Sequence, residues 1–255
     1  LLPAGANSIL KRLVDKMPAS HGYMNAGFKL QRFLRGASAS QAEVLQQWIS
    51  AFQHEEIDNI LISETSKKAL NTHPQWGVPH LYAPLYDQYD ALPQKDLISV
   101  LCHAFQQFFL PACICNHADK SSMMESQELR SPYLDIEMMH LANQLPSHFK
   151  YRQGQTKYLI RKYLNSNTPT SVAKRPKRGF TVPIAQWLTT SLKSWAEQLL
   201  APATIKADGI FNPSAVQILW NEHQNHRANH AKALWTLIVF QHWYHTSFAQ
   251  WKNHR

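Results

Sequence analysis

Apolar positions along this chain recur mostly with the helical period, and the two-residue alternation of strands is rare. Ser40-Gln41-Ala42-Glu43 has the pattern of a capping box, and Val44, Leu45, Trp48, Ile49 and Phe52 follow it at helical spacing. Asp96 opens another helix, with Leu97, Ile98, Leu101, Cys102, Phe105, Phe108 and Phe109 on a broad apolar face. Pro111 is expected to end it, because proline lacks the amide hydrogen and its ring clashes with the preceding turn. Asp135 caps a helix carrying Ile136, Met139 and Ala142 and stopped by Pro146. Pro213 and Ser214 start another, with Val216, Leu219 and Trp220 facing inward. From Ala231 to Phe248 apolar residues occur almost all round, which predicts a buried core helix.

Strand signals are thin. Phe149-Lys150-Tyr151-Arg152 and Thr156-Lys157-Tyr158 flank Gln153-Gly154, which reads either as a small hairpin or as a turn into a helix. Thr72 to Pro93 is rich in Pro, Tyr, His and Gly and reads as a long irregular connection, a lid or interface loop. There is no internal repeat and no low-complexity tract. The pattern predicts a mainly α fold.

Composition changes that picture little. With 44 % hydrophobic and 11 % aromatic residues among 255, a packed core is feasible and disorder is not expected. No apolar run approaches the roughly 20 residues needed to span a bilayer. The order of apolar and basic residues in Leu1 to Met17 is the reverse of a signal peptide's, so a cytoplasmic protein without membrane attachment is expected. Cys102, Cys113 and Cys115 cannot build a disulfide framework and read as buried, reduced thiols. The net charge of +9 is scattered except at Lys174-Arg175-Pro176-Lys177-Arg178. The glycine, phenylalanine and proline that follow make that cluster an ordered phosphate-facing or structural loop, and no nucleic-acid partner is expected.

Two stretches hold more polar chemistry than a core needs. Asp119-Lys120-Ser121-Ser122-Met123, followed by Glu128-Leu129-Arg130-Ser131-Pro132-Tyr133-Leu134-Asp135, reads either as a charged helix surface with an N-cap or as a site. In Gly154-Gln155-Thr156-Lys157 a glycine turn feeds a helix whose first turn would hold Thr156 and Lys157. Free backbone amides and a cation would converge there on an anion; a solvated lysine after a hairpin is the plainer alternative. His223, His226 and His230 have metal-compatible spacing but only Glu222 nearby, so no metal is assigned. Tyr82, Tyr86 and Tyr89 lie among acids, which argues against nucleic-acid stacking and for an interface or lid, with a plain surface loop the equal alternative; Trp220, Trp235 and Trp243 read as core.

These stretches resemble the asparagine synthetase family of glutamine-hydrolysing ligases. Leu110-Pro111-Ala112, Asp119-Lys120-x-Ser122-Met123 and Glu128-x-Arg130-x-Pro132-x-Leu134-Asp135 resemble its run from L-P-A through D-R-x-S-M to E-x-R-x-P-F-L-D. Lys157-Tyr158-Leu159-Ile160-Arg161 is similar to its T-K-Y-x-L-R, and Arg175 to Pro183 with Trp187-Leu188 to its R-P-K-x-G-F-x-V-P-x-x-x-W-L. Weaker likeness runs back to Lys29-Leu30-Gln31-Arg32-Phe33-Leu34 and forward through Gly209 to Trp243.

The resemblance implies an ATP-dependent ligase that adenylates aspartate to a β-aspartyl-adenylate, which ammonia from glutamine then attacks. It implies that Lys157 binds the α-phosphate and pyrophosphate, with Lys177 a further phosphate contact. Glu128 would stand beside the activated carbonyl, and Arg130 would bind a substrate carboxylate. Asp119 and Lys120 would pair and hold the Ser122-Met123 turn, while residues 176–182 would pack over the nucleotide side.

The family's S-G-G-x-D-S and G-x-G-x-D-E motifs do not occur in these 255 residues, whose eight glycines are never adjacent. The expectation is therefore the helical C-terminal lobe of an adenine-nucleotide α-hydrolase-like (PP-loop ATP pyrophosphatase) synthetase domain. Most of its parallel sheet, its glutaminase and most contacts to ATP and Mg2+ would lie in other parts, in cis or in trans. Residues 1–248 would form that partial domain, inactive alone, and 249–255 a polar tail. A homodimer is compatible with this reading. Gln127, Leu129 and Ser131 depart from the family pattern and leave open another carboxylate acceptor, such as a sugar acid, peptide or lactam precursor. A non-catalytic helical interaction module also stays open.

Overall fold

The computed structural model describes residues 26–37, 48, 50–52, 56–57, 61–72, 96–173, 175, 182–248 and 251. The chain divides into two compact units: Leu1–Tyr86 with Phe180–Arg255, and Asp87–Gly179. Both are helical, as the pattern predicts, and the sheet among the described residues has two strands. The capping box at Ser40, residues 73–95 and most of the tail from 249 lie outside the described residues.

The first unit begins with α1 (Ala26–Gly36), which contains the early family-like stretch, and α2 (Glu64–Thr72). The second unit opens with α3 (Leu97–Ala104), whose N-cap Asp96 accepts from the amides of Ile98 and Ser99. The helix does not stop at Pro111. It continues as a π-helix over Phe105–Cys115 into α4 (Asn116–Met123). The wider i→i+5 ladder, shown by the Asn116 amide bonding to the Pro111 carbonyl, relieves the ring clash that proline imposes on an α-turn. The stretch Leu97–Met123 is therefore a single helical run of 27 residues with a mean hydropathy of 1.6 in its most apolar window. By length and composition it could cross a membrane, contrary to the sequence-based expectation. Gln106, Gln107, His117, Asp119 and Lys120 interrupt it with polar groups.

A 3₁₀ turn (Pro132–Leu134) leads to α5 (Ile136–Gln144), capped by Asp135 through the amides of Glu137 and Met138. Then come α6 (Ser147–Lys150), β1 (Tyr151–Arg152), β2 (Gln155–Thr156), α7 (Tyr158–Asn167) and α8 (Thr170–Ala173). Asp96 also accepts from the Ser147 hydroxyl at 2.7 Å, and Ser99 and Ser147 share a 3.0 Å contact, so one carboxylate ties α3 to α6. Among the described residues of this unit only Val100 and Ala104 are buried. The three cysteines are free, and Cys113 is exposed rather than buried. Burial does raise the Cys102 thiol above its ordinary range.

The first unit resumes with α9 (Ile184–Trp187), α10 (Lys193–Leu199), α11 (Pro202–Asp208), α12 (Pro213–Gln224) and α13 (Ala231–Trp243), followed by a π-turn, Tyr244–Phe248. Leu188, Leu200, Ile205, Val216, Leu234 and Ile238 are essentially inaccessible and form its core, with Phe52 and Trp235 packed against them. Each such side chain contributes about 1.5–3 kcal/mol over leaving it in water. Only one face of α13 is covered, because Val239 and Trp243 are about half exposed; Trp243 is not the core residue its apolar surroundings predict. Asn212 caps α12, a role its place before Pro213 allows.

Gly209 ends α11 with φ +68, the left-handed turn that glycine adopts without strain. Ser63 donates to the Gly209 carbonyl and Ser66 to that of Ile210 at 3.0 Å, and Ile62 bridges Phe211, so this turn anchors the start of α2. Asp208 beside it accepts from the buried Gln241 amide at 2.7 Å and from the His245 ring at 3.0 Å.

Candidate functional site

Most of the motif residues occupy the second unit, whereas Trp187-Leu188 of the last block belong to the first. In its first block, α4 ends in a tight turn: the amides of Met124 and Gln127 bond back to the carbonyls of Lys120 and Ser122, and Ser126 is left-handed (φ 56). Backbone and the Ser122 hydroxyl, which donates to the Asp119 carbonyl at 3.1 Å, hold this turn. Asp119 and Lys120 form no ion pair with each other, which corrects the expectation. Neighbours on a helix project about 100° apart and do not face each other.

Beyond the turn, Glu128 and Arg130 meet. The guanidinium Nε and Nη2 donate to one carboxylate oxygen, Oε1, at 3.0 and 2.6 Å. Both side chains are highly exposed, at 69 % and 84 %. An ion pair in water contributes at most about 1 kcal/mol. The guanidinium assigned to a substrate carboxylate thus already holds a carboxylate, weakly enough for another to replace it. Pro132 and the Asp135 cap then fix the exit of the segment.

In the second block both alternatives read from the sequence are realised: a hairpin, then a helix. Tyr151 pairs with Thr156 and Arg152 with Gln155. Gln153 (φ 49) and Gly154 (φ 80) form the two-residue turn, both with the positive φ that suits twisted strands. Thr156 therefore sits in β2, and Lys157 precedes α7 instead of lying inside its first turn. Lys157 itself is left-handed, at φ 57 and ψ 38. That conformation costs a residue with a Cβ roughly 1–2 kcal/mol. No side chain caps the α7 N-terminus. The Lys157 ammonium has no hydrogen bond or ion pair among the described residues. It stands exposed beside uncapped amides, the arrangement that attracts an anion.

The surroundings reinforce this. No Asp or Glu occurs between Glu137 and Glu197, whereas Lys150, Arg152, Lys157, Arg161, Lys162 and Arg175 all do. Arg152 lies 5.4 Å from the Tyr158 ring centre, and its Nη1 donates to the Tyr158 hydroxyl at 3.4 Å. Arg161, which carried no separate role in the sequence reading, donates from Nε to the Thr156 carbonyl at 3.2 Å and from Nη1 to the Arg175 carbonyl at 3.4 Å. Its place one turn after Lys157 was the available signal.

Lys177 lies outside the described residues, as do Tyr82, Tyr86 and Tyr89. No hydrogen bond or ion pair among the described residues joins Lys157 to the Glu128–Arg130 pair. His223, His226 and His230 do not converge: His223 contacts the Ala185 carbonyl at 3.2 Å, and His230 pairs with Glu222 at 2.6 Å. Among the described residues no three His, Cys, Asp or Glu side chains gather as metal ligands. The exposed Lys157 and the uncapped amides suit an anionic group, and the described residues form no cage for Mg2+. An open pocket of about 340 Å³ beside Trp220 is lined by Glu197, Pro202, Gln217 and Asn221 and includes no motif residue.

Comparison with known proteins shows the family. The asparagine synthase family model matches residues 4–245. The chain is 33 % identical over 172 residues to putative glutamine-hydrolysing asparagine synthetases of Mycobacterium bovis and Mycobacterium tuberculosis, covering 67 % of this chain and 26 % of theirs. It is 33 % identical over 127 residues to asparagine synthetase (glutamine-hydrolysing) 1 of Bacillus subtilis, covering 50 % of this chain and 20 % of that one. The matched part is thus about a quarter or less of each relative. No solved structure matches. With its motif blocks in order and the family match running almost end to end, the chain belongs to the asparagine synthase family.

Proposed function

We propose that this chain is the helical part of a PP-loop-type synthetase domain in an ATP-dependent, glutamine-using amide ligase. Aspartate is the carboxylate that the names of its relatives favour. The observation that carries the reading is Lys157. A lysine held in a strained left-handed conformation, with its ammonium exposed and unpartnered among the described residues beside uncapped amides, serves an anion better than it serves the fold.

In the adenylation step, negative charge moves onto the departing pyrophosphate. Lys157 and the α7 amides meet it in place, and groups oriented beforehand need no reorganisation as the charge develops. Mg2+, when bound by other parts of the enzyme, would neutralise phosphate oxygens; the described residues act without ligating it. Arg130 orients the acceptor carboxylate after exchanging it for Glu128. The released Glu128 is then free to accept a proton from the attacking ammonia. Glutaminase and PP-loop parts are supplied from elsewhere in the protein or by a partner.

Lys157→Ala in the intact ligase tests this. Aspartate-dependent pyrophosphate release should fall by about 10²-fold or more, with glutamine hydrolysis spared. Near-normal synthesis would remove Lys157 from the reaction.

A further inference from the structure

Lys157 could not hold its conformation by local preference, so something must impose it. Two peptide planes define that conformation: the one ending in the Thr156 carbonyl, which φ rotates, and the one starting with the Lys157 carbonyl, which ψ rotates. Arg161 touches both. Its guanidinium Nε donates to the Thr156 carbonyl at 3.2 Å, and its own amide donates to the Lys157 carbonyl at 2.9 Å. Its Nη1 reaches the carbonyl of Arg175, bringing the backbone of a second basic stretch to the same helix turn. The side chain is half-buried, whereas Lys157 is exposed.

We infer that Arg161 is a positioning residue that clamps the two peptides flanking Lys157, fixes its left-handed conformation, and holds the Arg175 carbonyl alongside. The inference rests on the reading of Lys157 as the phosphate-binding lysine. Arg161 acts through geometry: the fork of the guanidinium reaches two carbonyl oxygens at once, which an ammonium cannot do.

The test uses the intact ligase with inorganic pyrophosphate as the ligand, followed by calorimetry, together with trypsin cleavage at the Lys174–Arg175 bond. Arg161→Ala should weaken pyrophosphate binding about tenfold, the scale of one lost charge-assisted hydrogen bond, while the thermal melt stays cooperative. Arg161→Lys should not restore it. Adding Arg161→Ala to Lys157→Ala should cost nothing further, since a residue acting through Lys157 has nothing left to position. Cleavage after Lys174 should accelerate in both Arg161 variants. Full rescue by lysine would make the role one of charge, and additive losses would make it direct contact; either overturns the inference, as does unchanged binding and cleavage. If Lys157→Ala alone leaves pyrophosphate binding intact, the functional reading fails. The cleavage rates then still decide whether Arg161 clamps the backbone.

Discussion

The C-terminal helices from Ile184 to Trp243 and the motif region from Asp96 to Arg175 are both helical, yet different physics holds them. The first has a dry centre of Leu188, Leu234 and Ile238. The second buries only Val100 and Ala104 among its described residues and turns Leu129, Tyr133, Ile136, Leu141 and Tyr163 outward. It is organised instead by short-range devices: two aspartate caps, a left-handed serine, a two-residue hairpin turn and the Arg161 clamp. Such devices define geometry well and contribute about 1 kcal/mol each, so they shape a surface without giving it independent strength. Lys157, Glu128 and Arg130, the described residues to which the family resemblance gives roles, lie on the weakly supported region. A surface of exposed apolar side chains around cations gains hydrophobic free energy only when something covers it.

The largest effect that would break or sharpen this contrast is in the core. Leu234→Ala should lower stability by about 2–5 kcal/mol in denaturant melts. Leu141→Ser, on an exposed position of the motif region, should stay within about 0.5 kcal/mol. Comparable losses from both would show that the motif region has a core after all.

An intermediate effect is expected at Asp96. Partial burial raises its pKa, but hydrogen bonds from the Ser99 and Ser147 side chains and from the backbone amides outweigh this and hold it below the usual aspartate value. A carboxylate with a depressed folded pKa stabilises above its unfolded pKa, and that contribution is lost as pH falls through the folded value. Asp96→Ala should therefore cost about 0.5–2 kcal/mol at pH 7. The gap to wild type should close in urea melts below about pH 4. A constant gap would assign the role to the serines alone.

The smallest effect runs in the opposite direction. Lys157→Gly should stabilise the protein by about 0.5–1 kcal/mol, because glycine accepts φ near +57 without the Cβ penalty, while pyrophosphate binding is lost. A drop in stability would mean that Lys157 serves the fold.

How much of this was legible in the sequence depended on the range of the interactions. Asp96 and Asp135 were readable as caps because the carboxylate bonds to amides two and three residues on. Val216 and Trp220 were readable as inward positions because α12 is covered on one face. Pro111 misled because the breaker rule assumes an α-turn, and the π ladder removes the clash. Trp243 misled because an apolar pattern on all faces does not say which face is covered. The family was legible through its blocks, but the conformation of the candidate site was not. Nothing in the letters of Lys157 announces a left-handed residue, and the Glu128–Arg130 pair depends on the path the chain takes after the Ser126 turn.

The π-helical stretch from Phe105 to Cys115 also bears on how insertions and deletions are tolerated. Each residue removed from or added to a helix rotates everything downstream by about 100° about its axis. A helix with a wide turn before Asn116 is thus set to a particular angular phase. The wide turn takes up one residue more than an α-turn does, so losing one residue there would narrow it, improve its hydrogen bonding and leave Asp119, Lys120 and Ser122 near their present side. In relatives of this chain, a loss of one residue should accordingly be tolerated between the L-P-A triplet and the aspartate that follows more readily than within α4.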